Sequence, residues 1–584
     1  MTNLEIAKIL SNISTILEIK GESKFRVIAY SRAAEVIANL TKDIEDVYKE
    51  GGIKALEEVP GVGVSIAEKI EELIKTGKMK YYKQLTKSFP EKMLVLTQVP
   101  GIGPKTALVL YKKLHIDSIP KLQKAATSGK IHKLPHFKEQ AEQNILRGIK
   151  QFGIRTKERN RMVLTAAGPI ADEVLAYIRK FKDVKKCNVV GSLRRAKETI
   201  GDIDIVVAIP NPKKLIDYFA KAPFVKNILS KGDTKISVTH KKNVRIDLEI
   251  LPEQDYGSLL QHFTGSKEHN VHLRTWAVEH KFSLSEYGIE DLSAKGGSAS
   301  GGKKRHHFVD EKKFYEFLGL QYIEPELRED RGEIEAALAH KLPKIIGYND
   351  LNGDLHCHTK TSDGTNTIAE LAQKAMSKKY KYLGISDHTV GLGVASGLSD
   401  KEILKHKAEI QKVNKKFRNI KLLAGAEINI TASGKLDLSL ATIKKLDYSI
   451  GSVHSAFNQD EATMTKRMIA GIKSGIKILG HPSGRLIGQR QAYDVEWTEI
   501  FKACAKYKVA LEINSFPERL DLKDTLIKDA LAYGCKFCID SDAHALEHMD
   551  LIKYGIATAR RGWATKADVI NSWDLQRLLK WFKS

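Results

Sequence analysis

From residue 353 onward the chain repeats one pattern seven times: a short apolar run closed by a polar or ionisable group, then a stretch of helical periodicity. The runs are GDLHCHT, YLGISDHT, LLAGAEINI, YSIGSVH, ILGHPSG, ALEINS and FCIDSDAH. Strands that alternate with helices pair in parallel, because each crossover returns the chain to the same end of the sheet. In a barrel of this kind the C-terminal strand ends gather on one rim, so the groups that close the runs are expected at a common site. His356 and His358 lie on one face of the first run, with Asp363 in the loop that follows; His388, Glu427, His454, His481, Asp542 and His544 close later runs. Nine donors are more than one ion can use. Mixed imidazole and carboxylate ligation points to two or three ions, Zn2+ and/or Mn2+. Cys357, between the two histidines, is expected to face the core.

A second constellation occupies GSLRRAKETIGDIDIVV, residues 191–207. The strand period of two puts Asp202 and Asp204 on one face and Ile203 and Ile205 on the other. NVRIDLEIL (243–251) alternates likewise, with Val244, Ile246, Leu248 and Ile250 inward and Asp247 on the polar face. Carboxylates inside apolar runs are costly unless a cation meets them. Three on adjacent strands can hold two ions, Mg2+ or Mn2+, an arrangement suited to in-line attack at phosphorus. Gly191 allows close approach, Ser192 offers a hydroxyl, and Arg194 or Arg195 can clamp a phosphate. An exposed edge strand beside a solvated arginine pair is the plainer reading; Asp247 in a second apolar strand speaks against it.

Residues 1–150 read as short helices. EVPGVGVSIAEKI (58–70) and QVPGIGPKTALVL (98–110) repeat each other, placing Gly61 and Gly63, then Gly101 and Gly103, before a helix, with Lys105 adding charge in the second copy. Glycines there let backbone N–H groups approach a phosphate at a helix N-terminus. KLPHFKEQAEQNIL (133–146) is a worn third copy without the glycines, read as scaffold. Net charge agrees: +24 overall, with 50 Lys/Arg against 35 Asp/Glu in residues 1–300. A basic surface spread that widely favours a nucleic-acid partner, although solubility alone would also use it. Five cysteines make no disulfide framework, which suggests a reducing cytoplasm, and Cys535 and Cys538 read as core. The N-terminal helix lacks a signal-peptide pattern and no stretch suits a membrane span. LSAKGGSASGGKKRHH (292–307) reads as a mobile loop with a basic end, and 324–350 as a charged connecting segment.

GSLRRAKETIGDIDIVV, RIDLEIL and HFTGSKEHNVHLR (262–274), preceded by the two hairpin motifs, resemble a family X DNA polymerase. The resemblance covers about residues 1–330. It implies Asp202, Asp204 and Asp247 as metal carboxylates, Asp247 also helping to deprotonate a primer 3′-hydroxyl. It implies Gly191, Ser192 and Arg195 around the incoming triphosphate, Phe263 and Gly265 lining the sugar pocket, and Asn270 and Arg274 monitoring the nascent pair. His262 stands where vertebrate gap-filling members carry tyrosine, and Lys267 where they carry aspartate. Lys69 matches the Schiff-base lysine of the family's 5′-deoxyribose-phosphate lyase. Ser65 replaces a basic neighbour, and a surface lysine on a helix also needs no function.

DLHCHTKTSDG, SDHT, GAEI, GSVH, GHP and DSDAH resemble the polymerase and histidinol phosphatase (PHP) domain, a distorted (β/α)7 barrel with metal-dependent phosphoesterase members. In this order the halves resemble the bacterial and archaeal PolX group. The expected organisation is multidomain, α+β and α/β: a helical DNA-binding domain (1–88), a fingers-like helical domain (89–155), a nucleotidyltransferase palm (156–258), a thumb-like domain (259–325), a linker (326–350) and the PHP barrel (351–584). The implied activity is gap-filling repair synthesis on gapped or primer–template DNA with deoxynucleoside triphosphates, joined to a 3′–5′ exonuclease, 3′-phosphatase or abasic-site endonuclease. No membrane and no second copy are expected, so the form is a monomer in a prokaryotic cytoplasm. A barrel that is purely structural, or acts on a small-molecule phosphate, is the alternative.

Overall fold

The computed structural model describes residues 3–38, 44–59, 61–88, 94–99, 102–134, 137, 139, 141–149, 161–293, 304–391 and 397–583. The chain divides into two compact units, Met1–Arg159 and Asn160–Ser584. No helix among the described residues is long and apolar enough to cross a membrane.

The first unit is helical. Apolar residues at helical spacing, Ile6, Leu10, Ile13 and Leu17, form the buried stripe of α1 (Asn3–Lys20), which packs on α2 (Lys24–Ala38). Ile66, Ala67, Ile70 and Leu73 of α3 (Val64–Thr76) complete that core. Gly61, at φ +84°, and extended Gly63 lead into α3, and Gly103 with Pro104 starts α4 (Pro104–Leu114). Both hairpin motifs thus deliver a glycine to a helix N-terminus, as their repeat implied.

In the second unit a five-stranded mixed sheet runs in the order β1–β2–β5–β4–β3, with β1 Lys186–Val189, β2 Ile203–Ala208, β3 Val225–Lys231, β4 Lys235–His240 and β5 Arg245–Leu251. β2 and β5 are parallel, and Asp204 faces Asp247 in register. The alternating Ile and Leu residues of both strands fill a core shared with Phe219 and Phe224. After the sheet come α5 (Tyr256–Thr264) and α6 (Lys267–Glu279), the latter capped by the Ser266 hydroxyl, which accepts from the His269 amide. Of the expected mobile loop, 292–307, residues 294–303 lie outside the described residues, and its basic end is not loop: Arg305 and His306 pair antiparallel with Glu290 and Ile289, so backbone hydrogen bonds hold them as a strand. The 324–350 segment connects and also packs: Arg328 is fully buried, with Nη1 donating to Glu311 Oε1 at 2.6 Å.

The final part is a parallel barrel of seven strand runs: β6 Gly353–Asp354, β7 Tyr382–Ile385, the nearly continuous β8 Lys421–Ala424 and β9 Glu427–Asn429, β10 Ile450–Ser452, β11 Ile478–Leu479, β12 Ala510–Asn514 and β13 Phe537–Asp540. A parallel bridge between Cys357 and Ala543 joins the first run to the last. α7 (Ile552–Arg561) packs outside β13, and Leu578 and Phe582 of α8 (Leu575–Lys583) pack with Tyr382, Ile450, Ile478 and Ala510, the first residues of their strands. One mouth of the barrel is therefore closed by apolar packing, and the C-terminal strand ends are left to the donors. All five cysteines are buried and free, Cys357 in the core.

Candidate functional site

Ligating oxygens of Asp202, Asp204 and Asp247 lie within 4.8 Å of one another. Burial, and then the adjacent Asp202 and Asp247 charges, push Asp204 up to about 7. Crowded carboxylates of this kind call for divalent cations, and an all-oxygen set suits Mg2+ or Mn2+. Arg245, not singled out by any motif, grips Asp247 in a fork, Nε to Oδ1 at 3.0 Å and Nη2 to Oδ2 at 2.9 Å. Gly191 has φ +61°, and a Cβ there would stand 2.3 Å from Asp204 Oδ2. The close approach that requires glycine is thus made by a carboxylate of the same chain.

Beside this cluster opens a cavity of about 580 Å3. Gly191, Ser192, Arg195, Phe263, Gly265, Asn270 and Arg274 all line it, together with Asp202 and Asp204. The Arg-Arg pair divides its labour. Arg194 is tied to Glu311 at 2.7 and 3.0 Å and to Thr264 Oγ1 at 2.5 Å. Arg195 reaches the cavity, its Nε donating to Glu329 Oε1 at 2.9 Å and its Nη1 to the Thr264 carbonyl. His262 organises the far wall: its carbonyl accepts from Asn270 Nδ2 at 2.7 Å, and its Nδ1 lies 3.1 Å from Arg274 Nη2. Arg161 and Lys197 also line the cavity. Arg161 lies upstream of the motif, and Lys197 within it reads as an ordinary solvated lysine, so the sequence marks neither.

At the open mouth of the barrel all nine expected donors meet. His358, Asp363, His388 and His544 form one group with ligand atoms within 4.8 Å; His356, His358 and Glu427 form a second; His388, Glu427 and His454 a third. Glu427 joins them. Its Oε1 lies 3.1 Å from His481 Nε2 and 3.2 Å from His454 Nε2, while its Oε2 lies 2.9 Å from His388 Nδ1 and 3.3 Å from His356 Nε2. Asp542 Oδ1 is 3.2 Å from His358 Nε2. Burial, and then His544, lower His358 to about 4, and burial lowers His481 to about 3, so both are neutral imidazoles, the ligating form. Against burial, Glu427 and Asp363 lift His388 to about 10. His356 Nε2, His358 Nε2 and His388 Nδ1 are buried without a hydrogen-bond partner, which fits metal ligation by this donor set.

Two further groups complete the mouth. Glu512 Oε1 lies 2.6 Å from His356 Nδ1 and orients that ring. It belongs to the ALEINS run, so its place at a strand end is readable from the sequence, and its role is not. Arg519 Nε is 3.7 Å from Asp542 Oδ2, with Nη1 buried and unpartnered; no spacing marks it.

In the helical unit, Lys69 Nζ donates to the Ser65 carbonyl at 2.7 Å and to Ser65 Oγ at 2.8 Å, and burial lowers its pKa. Gly61, Gly63 and Gly103 precede their helices as described above. Gly101 and the Lys105 side chain lie outside the described residues.

Comparison with known proteins gives the same division. Family models match a helix-hairpin-helix domain at residues 1–79, a SAM-like helix-hairpin-helix tandem at 93–151, the DNA polymerase beta thumb at 259–329 and a PHP domain at 354–516. The chain is 33% identical over 579 residues to the DNA polymerase/3′-5′ exonuclease PolX of Bacillus subtilis (strain 168), covering 99% of this chain and 98% of that one. It is 24% identical over 347 residues to DNA polymerase lambda of Rattus norvegicus, 56% of each chain, and 26% identical over 356 residues to DNA polymerase lambda of Arabidopsis thaliana, 56% of this chain and 62% of that one.

Proposed function

The chain belongs to the PolX family of DNA polymerases, and on that footing we propose that it performs two reactions at phosphorus, nucleotidyl transfer in the palm and phosphoester hydrolysis in the barrel. The first extends a primer across a short gap. The second removes nucleotides or phosphate from DNA 3′ ends, or cuts at abasic sites.

Asp202, Asp204 and Asp247 would hold two ions, Mg2+ or Mn2+, and the nine barrel donors two or three, Zn2+ and/or Mn2+. When bound, such ions supply Lewis-acid stabilisation of charge developing on phosphate oxygens. Ser192 and Arg195 bind and orient the triphosphate, Arg161 adding charge beside them. Phe263 and Gly265 bound the sugar, and Asn270 and Arg274 face the nascent pair. Asp247 receives the proton of the primer 3′-hydroxyl, and the Arg245 fork fixes its orientation. The bond from the 3′-oxygen to the α-phosphorus forms, the bond from that phosphorus to the bridging oxygen breaks, and pyrophosphate leaves with the electron pair. In the barrel, Glu512 orients His356, and Arg519 offers its free guanidinium edge to the substrate phosphate. The hairpin motifs hold DNA through backbone phosphates, independent of sequence. Lys69, its pKa lowered by burial, is the candidate Schiff-base amine for a 5′-deoxyribose phosphate. The enzyme acts as a monomer in a prokaryotic cytoplasm.

One observation supports the synthetic assignment above the rest: a single cavity is walled by Asp202, Asp204 and all seven residues expected around a nucleotide. The test is a separation of function. Changing Asp202 and Asp204 to alanine should abolish primer extension and spare hydrolysis; changing His356 and His358 to alanine should do the reverse, on gapped, abasic and 3′-phosphate DNA. A barrel variant that keeps full nuclease and phosphatase activity, or a wild type that prefers a small phosphate ester to DNA, refutes the hydrolytic half.

A further inference from the structure

A second cavity, about 420 Å3, lies between the palm and the barrel. Five cations line it: Arg161 and Lys197 from the palm side, Arg331 from the connecting segment, and Lys523 and Arg561 from the barrel. Three carboxylates are present, and each is already engaged. Glu329 accepts from Arg195 at 2.9 Å and Arg561 at 3.0 Å and pairs with Lys197 at 3.3 Å, Asp524 accepts from Arg561 at 2.8 Å and Arg331 at 2.9 Å, and Glu198 pairs with Arg485 at 2.8 Å. Arg161 spends its donors on neutral acceptors, Thr199 Oγ1 at 3.0 Å and the Thr199 carbonyl at 2.7 Å. Arg331 Nε and Nη1 are buried with no hydrogen-bond partner, although guanidinium N–H groups of that kind are costly to leave unmet. The wall carries an excess of positive charge and unspent donors, so its natural occupant is an anion rich in oxygen acceptors. Among the described residues no aromatic side chain lines it, so none of them would stack a base. Arg161 and Lys197 line both this cavity and the nucleotide cavity.

We propose that the junction cavity is a binding site for inorganic pyrophosphate, receiving through the shared Arg161–Lys197 wall the anion released by nucleotidyl transfer. The anion site stands on the cavity itself; its coupling to synthesis rests on the polymerase reading above. A site there gives the leaving group a charged path away from the primer end and makes product release sensitive to how the palm and barrel are joined.

Equilibrium dialysis of radiolabelled pyrophosphate against the full-length protein in EDTA tests it, with primer extension in Mg2+ measured in parallel. One equivalent should bind, weakened about tenfold by Lys523→Gln or Arg331→Gln, the loss of one close cation, and unchanged by Ser192→Ala. Lys523 is exposed, so its substitution should leave the melting temperature intact. Absence of binding, binding indifferent to both substitutions, or binding lost on Ser192→Ala instead overturns the site. Pyrophosphate binding in a protein that fails to extend primers overturns the polymerase reading and the coupling, and leaves the anion site standing.

Discussion

Asp204 and Asp247 stand directly opposite each other on neighbouring parallel strands, a pairing that puts two like charges side by side on the face opposite an apolar core. Burial and those charges raise Asp204 from its ordinary 3.8 to about 7. A carboxyl raised on folding contributes stability that is complete below pH 3.8 and lost as pH rises through 7. Without metal, Asp204→Asn should therefore melt higher than the wild type at pH 8, by on the order of 2 kcal/mol, and the two should converge as pH falls toward 4. Adding Mn2+ should reverse the order. Thermal melts in EDTA and in Mn2+ decide it, and equal melting at pH 8 in EDTA counts against the charge-crowding account.

Gly191 tests the same cluster from outside. A Cβ 2.3 Å from Asp204 Oδ2, at a backbone angle of +61°, must displace the carboxylate. Gly191→Ala should cut primer extension on the order of 100-fold, the typical result of misplacing a reacting group by about 1 Å, and leave barrel hydrolysis unaltered. An equal loss in both reactions points to general misfolding.

Glu427 uses both oxygens to touch four histidines. Glu427→Gln removes the charge common to two of the three donor groups. Metal analysis of the purified variant should show at least one equivalent lost, and phosphoester hydrolysis should fall by roughly 100-fold or more, while primer extension continues. Full metal content together with full activity contradicts a joining role.

Glu329 ties palm to barrel through Arg195 and Arg561. Burial alone would raise it; Arg561, Arg195 and Lys197 instead hold it at about 2. The stability this contributes is complete above pH 4.5 and fades as pH falls toward 2. Glu329→Gln leaves buried Arg195 without its carboxylate, Arg561 keeping Asp524, and should cost about 3 kcal/mol near neutrality. The gap in melting temperature between variant and wild type should narrow between pH 5 and pH 3; a constant gap argues that the carboxyl titrates normally.

For Lys69 the expected outcome is a covalent adduct with 5′-deoxyribose-phosphate DNA, trapped by borohydride and absent from Lys69→Ala. If trapping survives in the variant, another amine does the chemistry or none of it is specific.

Much of both sites could be read from local pattern. Asp202, Asp204 and Asp247 stand out because charge interrupts a period-two apolar strand, and the barrel donors because each closes an apolar run. Long-range ties were invisible for a physical reason. Arg561 donates to the Arg195 carbonyl across 366 residues of sequence, and nothing around either arginine separates a buried tie from a solvated charge. Arg194 and Arg195 are neighbours of identical chemistry, and only their partners, Glu311 for one and Glu329 for the other, decide which reaches the cavity. Arg161, Lys197 and Arg519 escaped for the same cause: an isolated cation has no periodicity to betray it.

The bridge between Cys357 and Ala543 has a bearing on biosynthesis. His356 and His358 leave the ribosome long before Asp542 and His544, and the sheet that carries them stays unsealed until those last donors arrive. The carboxylate cluster that ends at Asp247 is complete in sequence far earlier. A nascent chain can thus gather that cluster while the barrel donors are still in pieces, so the barrel mouth is the later of the two to be armed.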